Sequence, residues 1–405
     1  MQHAGAVNAP KSSGQGGLRV AAQREWQLLT KRRWDLAMVS WVPVLAVALL
    51  WWIFSAGLPN QLPIAVLDQD HSSLSRQLLR LLQATPGLKV VQAAVDPAQA
   101  AQSLRRGDVY AVLEIPRDFS QVIKRGEAAQ VTLSHNAQLG THSGLIQRDV
   151  RTAVATFSAG IEISARNKRG ESVVAARVAM EPLRTSAITL FNTALNYEQF
   201  LAAALIPAML HILAMTAGAW AVGRELRDGT VDQWLAPGAT LLQVLAALAG
   251  KLLIPVVSLS LTGALALAGV TWGRGWQPAG SLAWVVLALF VFLALSAALG
   301  ALAAALSRSL RTALSATGFI TAPAFAFSGV GFPLSAMPIL ARWWAHAMPY
   351  THYIRVQIEQ LQMGAPLRYS LATVVWLTLV TAGVALACAL RLQRVSHDTT
   401  AWGKR

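Results

Sequence analysis

Gly223-Arg224-Glu225-Leu226-Arg227-Asp228-Gly229-Thr230-Val231-Asp232-Gln233-Trp234-Leu235-Ala236-Pro237 is a charged island between two apolar stretches, each long enough to cross a bilayer. A polar segment so flanked belongs in water at a membrane face. Within it, Arg224, Glu225, Arg227 and Asp228 are spaced to pair along one helical turn. Gly229 ends that helix, and Thr230 is placed to cap another on which Val231, Trp234 and Leu235 share an apolar face. Pro237 stops it. The pattern predicts a short amphipathic helix held against a membrane face, where a soluble motor can push on it. The plain alternative is an inter-helix loop whose arginines set topology.

Composition supports a membrane setting. Of 405 residues, 54% are hydrophobic and 13% charged, against about 25% charged in ordinary soluble domains. The net charge of +15 is read first as topology and contact with anionic lipid, and no nucleic-acid partner is expected. Cys388 is the one cysteine, so no disulfide framework or cysteine metal site arises within one chain.

Residues 1–18 are rich in Gly, Ala, Ser and Gln and read as a disordered tail. Arg19, Arg24, Lys31, Arg32 and Arg33 precede an apolar run from Leu36 to about Leu58, an uncleaved signal anchor with its N-terminus inside. Arg24-Glu25-Trp26 falls on an amphipathic helix at the inner surface, so 19–58 form an interfacial helix and first span. From 59 to 196 charges of both signs return and no run is long enough to span. Ile64–Leu67, Val109–Ile115 and Val131–Leu133 read as strands; a helix opened by Ser72 or Ser73, another over Pro97–Arg106 and a long polar one over Gly140–Arg169 alternate with them, giving a small α/β domain outside. Asp68 and Asp70 follow the first strand, where capping is the expected role and a metal or catalytic one the alternative.

Five further spans are predicted: Phe200–Val222 with a kink at Pro207, Leu252–Trp272, Leu282–Leu306, Leu314–Val330 and Tyr369–Leu390. The apolar stretch after Pro237 exceeds one crossing. It is divided into an interfacial helix from Thr240 to Gly250 and a span, with Lys251 snorkelling to the inner face; a buried Lys in the translocation path is the alternative. Arg274 marks an outer loop, while Arg308, Arg311, Arg391 and Arg394 mark the inner side, and residues 393–405 form a cytoplasmic tail. Between Ser328 and Tyr350, prolines and aromatics separate apolar pieces too short to cross, which read as helices dipping into the outer interface.

Four sets of residues carry a resemblance. Arg-Glu-x-x-x-Gly-Thr with Leu-x-x-Pro, from Arg224 to Pro237, is similar to the coupling segment after the second span of ABC type-2 exporter permeases. Ser328, Gly329, Phe332, Pro333, Met337, Pro338, Pro349 and His352 resemble that family's re-entrant helices, and Gly250-Lys251 recurs there too. Ala65–Asp70, Ser73–Arg76 and Ile115–Ser120 resemble the extracytoplasmic domain of a branch that includes bacterial multidrug-efflux permeases. The resemblance implies a membrane all-α bundle of six transmembrane helices with re-entrant outer helices, plus an inserted α/β extracytoplasmic domain between spans one and two. Residues 197–392 are then the five-helix transmembrane domain, with coupling segment 223–237 and re-entrant segment 331–350, in a bacterial inner membrane with both termini cytoplasmic.

Chemistry is sparse. Gly250-Lys251 lacks the earlier glycine and following hydroxyl of a phosphate-binding loop, so no nucleotide or other cofactor is expected to bind directly. ATP and Mg enter through a partner ATPase. The spans are nearly free of carboxylates, Glu198 and Glu359 lying at outer positions, which disfavours an ion-driven carrier. His211 reads as packing, with a proton role as alternative; His346 and His352 read as interfacial anchors rather than metal ligands. No catalytic or metal residues are assigned. The expected function is the permease subunit of an ATP-driven exporter of hydrophobic or amphipathic cargo. Its expected partners are a cytoplasmic ATPase, a second permease copy or paralogue, and membrane lipids, with a periplasmic adaptor left open. A membrane-anchored scaffold or receptor is the alternative.

Overall fold

The computed structural model describes residues 17–55, 57, 59–136, 140–168, 196–236, 238–307 and 309–397. Nearly all of the expected N-terminal tail, Pro237 and most of the cytoplasmic tail lie outside them. The chain forms two units, Leu58–Ile188 and the rest.

The smaller unit is a sheet with helices. Strands β1 (Leu62–Asp68), β2 (Leu88–Ala93), β3 (Ala111–Ile115) and β4 (Thr132–His135) lie in the order β2-β1-β3-β4. β1 pairs in parallel with β2 and β3, and β4 is antiparallel to β3. The β2 strand is absent from the sequence reading because adjacent Val90 and Val91 interrupt the apolar/polar alternation of Leu88–Ala93, although its burial alternates. Asp68 and Asp70 are capping residues in geometry: Asp68 accepts the amides of Asp70 and His71 and the Ser75 hydroxyl, while Asp70 accepts the amide and hydroxyl of Ser120. Burial raises the Asp70 pKa, but hydrogen bonds from Ser72 and Ser120, with Lys124 nearby, outweigh it and hold the carboxyl below its usual range.

The larger unit is helical. It opens with α1 (Leu18–Lys31), α2 (Arg33–Val39) and α3 (Trp41–Phe54). After the other unit come a π-helical turn (Glu198–Ala202) running into α8 (Ala203–Asp228), then α9 (Leu241–Thr271), α10 (Leu282–Leu306) and α11 (Leu310–Thr321). A single turn (Ala324–Phe327), α12 (Ile339–Ala347), α13 (Pro349–Leu361) and α14 (Leu367–His397) complete it; helices α4 (Ser73–Ala84), α5 (Pro97–Arg106), α6 (Phe119–Lys124) and α7 (Gly140–Lys168) belong to the sheet unit. Alanines pack α8 against α10, with Ala214, Ala219, Ala297 and Ala301 all fully buried, small side chains that let two membrane helices approach closely.

Among the described residues, 4 helices are long and apolar enough to cross a membrane, or up to 5 if the bent pair α2–α3 is one span. The expected first span is therefore that pair, bent by 43° at Ser40. The cause is Pro43, which has no N–H for the Val39 carbonyl; the Ser258 hydroxyl of α9 donates to that carbonyl instead. The expected span Leu314–Val330 is divided at Pro323 into α11 and the single turn, neither long enough to cross alone. The expected break between an interfacial helix and a span at Gly250 does not occur. Thr240 and Gln243 form a capping box, and α9 runs on from Leu241 to Thr271 as one helix.

Prolines also shape α8. Pro207 leaves the Ala203 carbonyl without its helical donor, and the Gln357 side chain of α13 supplies one at 2.7 Å. The Tyr350 hydroxyl bonds the adjacent Ala204 carbonyl at 2.7 Å. Pro207 thus leaves carbonyls in α8 on which α13 docks by two buried hydrogen bonds.

Candidate functional site

The last turn of α8 carries Arg224 and Glu225 into the bundle, because Ala221, Val222 and Leu226 beside them are buried in its core. Both charges are buried as well, Arg224 at 2% exposure and Glu225 at 1%. Such charges persist in a low-dielectric interior only with close partners. They have several. Glu225 takes a two-pronged contact from Arg24 of α1, both distances 2.9 Å, and Lys251 of α9 at 2.5 Å. Arg224 contacts Glu25 of α1 at 2.5 Å and Asp35 of α2 at 2.7 Å. Lys251 closes the circuit to Glu25 at 2.9 Å. Cations Arg24, Arg224 and Lys251 thus balance anions Glu25, Asp35 and Glu225.

Lys251 therefore does not snorkel: it is 0% exposed. Its neighbour explains how α1 gets near enough to pair with it. A β-carbon on Gly250 would collide with the Leu18 carbonyl of α1, so glycine permits the approach that lets Glu25 reach the ammonium. Lys251 also sits 5.5 Å from the Trp234 ring, a cation–π contact that ties α9 to the segment after α8.

That segment departs from the expected helix. Gly229 adopts the left-handed conformation (φ 69°) and ends α8. Thr230 caps nothing with its side chain; its hydroxyl donates to the Glu225 carboxylate. Val231–Gln233 is a single 3-10 turn. Val231, Trp234 and Leu235 form the expected apolar face, but it is buried in the bundle at 0%, 1% and 1% exposure. Asp232 and Gln233 are the exposed residues of the turn. Of the ladder expected along α8, only Arg227–Asp228 pairs within the helix, at 2.7 Å, with Arg32 also 3.6 Å from Asp228. Arg224 and Glu225 are claimed by other helices because buried partners outcompete a neighbour on a solvated face.

Of the predicted outer residues, Ser328, Gly329, Pro333 and His352 line a cavity of about 540 Å³ with Thr351, Arg355 and Glu359. Phe332, Met337, Pro338 and Pro349 do not line it; Met337 is buried and Phe332 exposed. His352 bonds the His346 carbonyl at 2.8 Å. His211 is buried, bonded to Ser296 at 2.8 Å with its ring 5.2 Å from Phe292. No cluster of three or more His, Cys, Asp or Glu that could hold a metal occurs among the described residues. Glu25 and Asp35 were missed as site residues. Their signal was rarity, since acids are scarce in the apolar half of this chain and each must answer a buried base.

A family model described as ABC-2 family transporter protein matches residues 33–391, which takes in all of the smaller unit and most of the larger but not α1. The chain belongs to the ABC-2 transporter family. As such it is a multi-pass membrane protein and a transport component of the kind that works with a partner ATPase subunit. A search of curated proteins finds no match. Within this ABC-2 chain, the charge network joins α1, α2, α8 and α9 at the end that carries residues 223–237.

Proposed function

We propose that this chain is the permease subunit of an ATP-driven exporter. Six spans place both termini and segment 223–237 in the cytoplasm and the sheet unit outside, the broken segment from α11 onward serving as the fifth. A cytoplasmic ATPase docks on the exposed rim of the coupling segment, Asp232, Gln233 and the Arg227–Asp228 pair. It binds ATP and Mg itself; the permease pairs with a second copy or paralogue.

The observation that carries this reading is the buried network. A push on Trp234 or Thr230 acts directly on Lys251 and Glu225, and these are locked to α1 through Arg24 and Glu25. The load therefore moves α1, α8 and α9 together rather than bending a loop. At the far end of α8, Tyr350 and Gln357 pass the displacement to α13, beside the cavity where the re-entrant residues act as an outer gate.

Asp232→Lys with Gln233→Glu changes only exposed side chains. In a complex reconstituted with its ATPase, this double variant is expected to fold normally yet lose most cargo-stimulated ATP hydrolysis and export. Full stimulation in the variant, or the absence of any co-purifying ATPase, would sink the coupling assignment and favour a scaffold.

A further inference from the structure

We propose that the bundle holds a binding site for lipophilic monovalent cations, walled on one side by the two acids of the charge network. The site is a cavity of about 340 Å³ among α1, α2, α8, α9 and α11, within the range of about 300–1,000 Å³ typical of small-molecule sites. Its lining is mainly apolar, with Leu29, Pro255 and Leu314 among the contributors, and its charged members are Glu25 and Asp35.

The sign of that wall is the decisive feature. Over the whole network positive and negative charges cancel, but the cations are not on the cavity side: Arg24, Arg224 and Lys251 do not line it. Arg224 grips Glu25 and Asp35 at 2.5 and 2.7 Å, and Lys251 holds Glu25 at 2.9 Å. The two acids stand behind an almost wholly apolar lining, so the negative pole of the network adjoins a low-dielectric chamber, where a nearby charge is poorly screened. The Asp35 Oδ2 atom accepts from Trp220 and Arg224; a lipophilic cation without N–H groups competes for neither bond and is attracted by charge alone.

Two indoles reinforce the preference. Trp220 lines the cavity, and its ring already attracts the Arg227 guanidinium at 5.6 Å. Trp34 also lines it and is 78% exposed, which puts the mouth of the cavity beside an accessible aromatic face. Aromatic faces attract cations and repel anions. A bulky apolar body of either sign gains from burial here, but only a positive one gains from the walls. The inference deepens the export reading by naming a cargo class and rests on it only for the direction of movement.

The test uses the full-length chain alone in phosphatidylcholine nanodiscs, without ATPase, so that its failure is distinct from failure of coupling. Radiolabelled tetraphenylphosphonium and its size-matched anion tetraphenylborate are the probes. Saturable binding is expected for the cation and not for the anion. Asp35→Asn should weaken cation binding by about tenfold. Because that change disturbs the network, Ala217→Phe provides a second variant: it fills the cavity from α8, leaves every charge in place and should abolish saturable binding. Equal saturable binding of cation and anion, no saturable binding of either, or cation binding unchanged by Ala217→Phe would overturn the proposal.

Discussion

The two ends of α8 each bury an acid, and they do so in opposite ways. At the Gly229 end, Glu225 is held by Arg24, Lys251 and Thr230, and Lys251 is itself fully buried. At the other end, Glu198 is 2% exposed, but its cation Arg274, at 3.0 Å, is 43% exposed. The Trp51 indole supplies a further donor. The helix itself differs as well: it closes on a left-handed Gly229 at one end and starts in a π-helical turn at the other, a widened geometry often found where helices do work. An unbroken chain of paired charges, Arg24–Glu225–Lys251–Glu25–Arg224–Asp35, fixes four helices to one another. Glu198 instead leans on one half-wet arginine. The Gly229 end of α8 is thus held by more and drier contacts than the opposite end.

The comparison is broken most directly at its strong side. Lys251→Met removes the ammonium that Glu25 and Glu225 share and leaves two carboxylates facing each other in the core. Orphaning a buried charge in this way typically costs about 3–5 kcal/mol. Thermal or denaturant unfolding of the purified protein should register a loss of that size, and adding Glu25→Gln to Lys251→Met should recover a large part of it. A single-variant loss below about 1 kcal/mol, the scale of surface ion pairs, would mean that the charge network is not what ties α1 to the bundle.

How much of this was visible in the sequence depends on whether the partner of each residue was close by in the chain. Gly229 ending α8, the shared apolar face of Val231, Trp234 and Leu235, and the helix Pro97–Arg106 were legible because each depends on spacing within one or two turns. Which way the apolar face turns was not, since the wall it meets comes from α9 and α10. Lys251 was misread for the same reason. An unpaired lysine in an apolar run must reach for water, and the acid that makes this unnecessary, Glu25, lies on an N-terminal helix read as resting on the membrane surface. Once the charge is neutralised in place, α9 has no reason to break at Gly250. Pro207 announced a kink, but not that Gln357 and Tyr350 occupy the carbonyls it exposes.

The weak side of the comparison is sharpened by Arg274→Gln. Glu198 then loses its cation but keeps the Trp51 donor, and the removed guanidinium was already partly screened by water. A cost of about 1–3 kcal/mol is expected, the range for a buried polar group stripped of one partner. The arginine also bonds the Ser55 carbonyl at 2.6 Å, so hydrogen exchange should rise at the end of α3 and in the π-helical turn, with no change around Lys251. Exchange rising equally at both ends of α8 would mean that the two are one cooperative unit, against the division drawn above.

The smallest effect is expected at the rim of the strong side itself. Arg32 reaches Asp228 at 3.6 Å, with side chains 48% and 36% exposed, and Asp228 already has Arg227 at 2.7 Å. Arg32→Gln should therefore cost less than about 1 kcal/mol, because exposed ion pairs are screened and their long side chains lose entropy on pairing. Arg32 lies at the junction of α1 and α2, so proximity in sequence would rank it beside Arg24 and Glu25. Burial ranks it far below them. If Arg32→Gln and Lys251→Met destabilised the protein to the same extent, position along the chain rather than exclusion from water would be setting the strength of these contacts, and the contrast between the two ends of α8 would lose its physical basis.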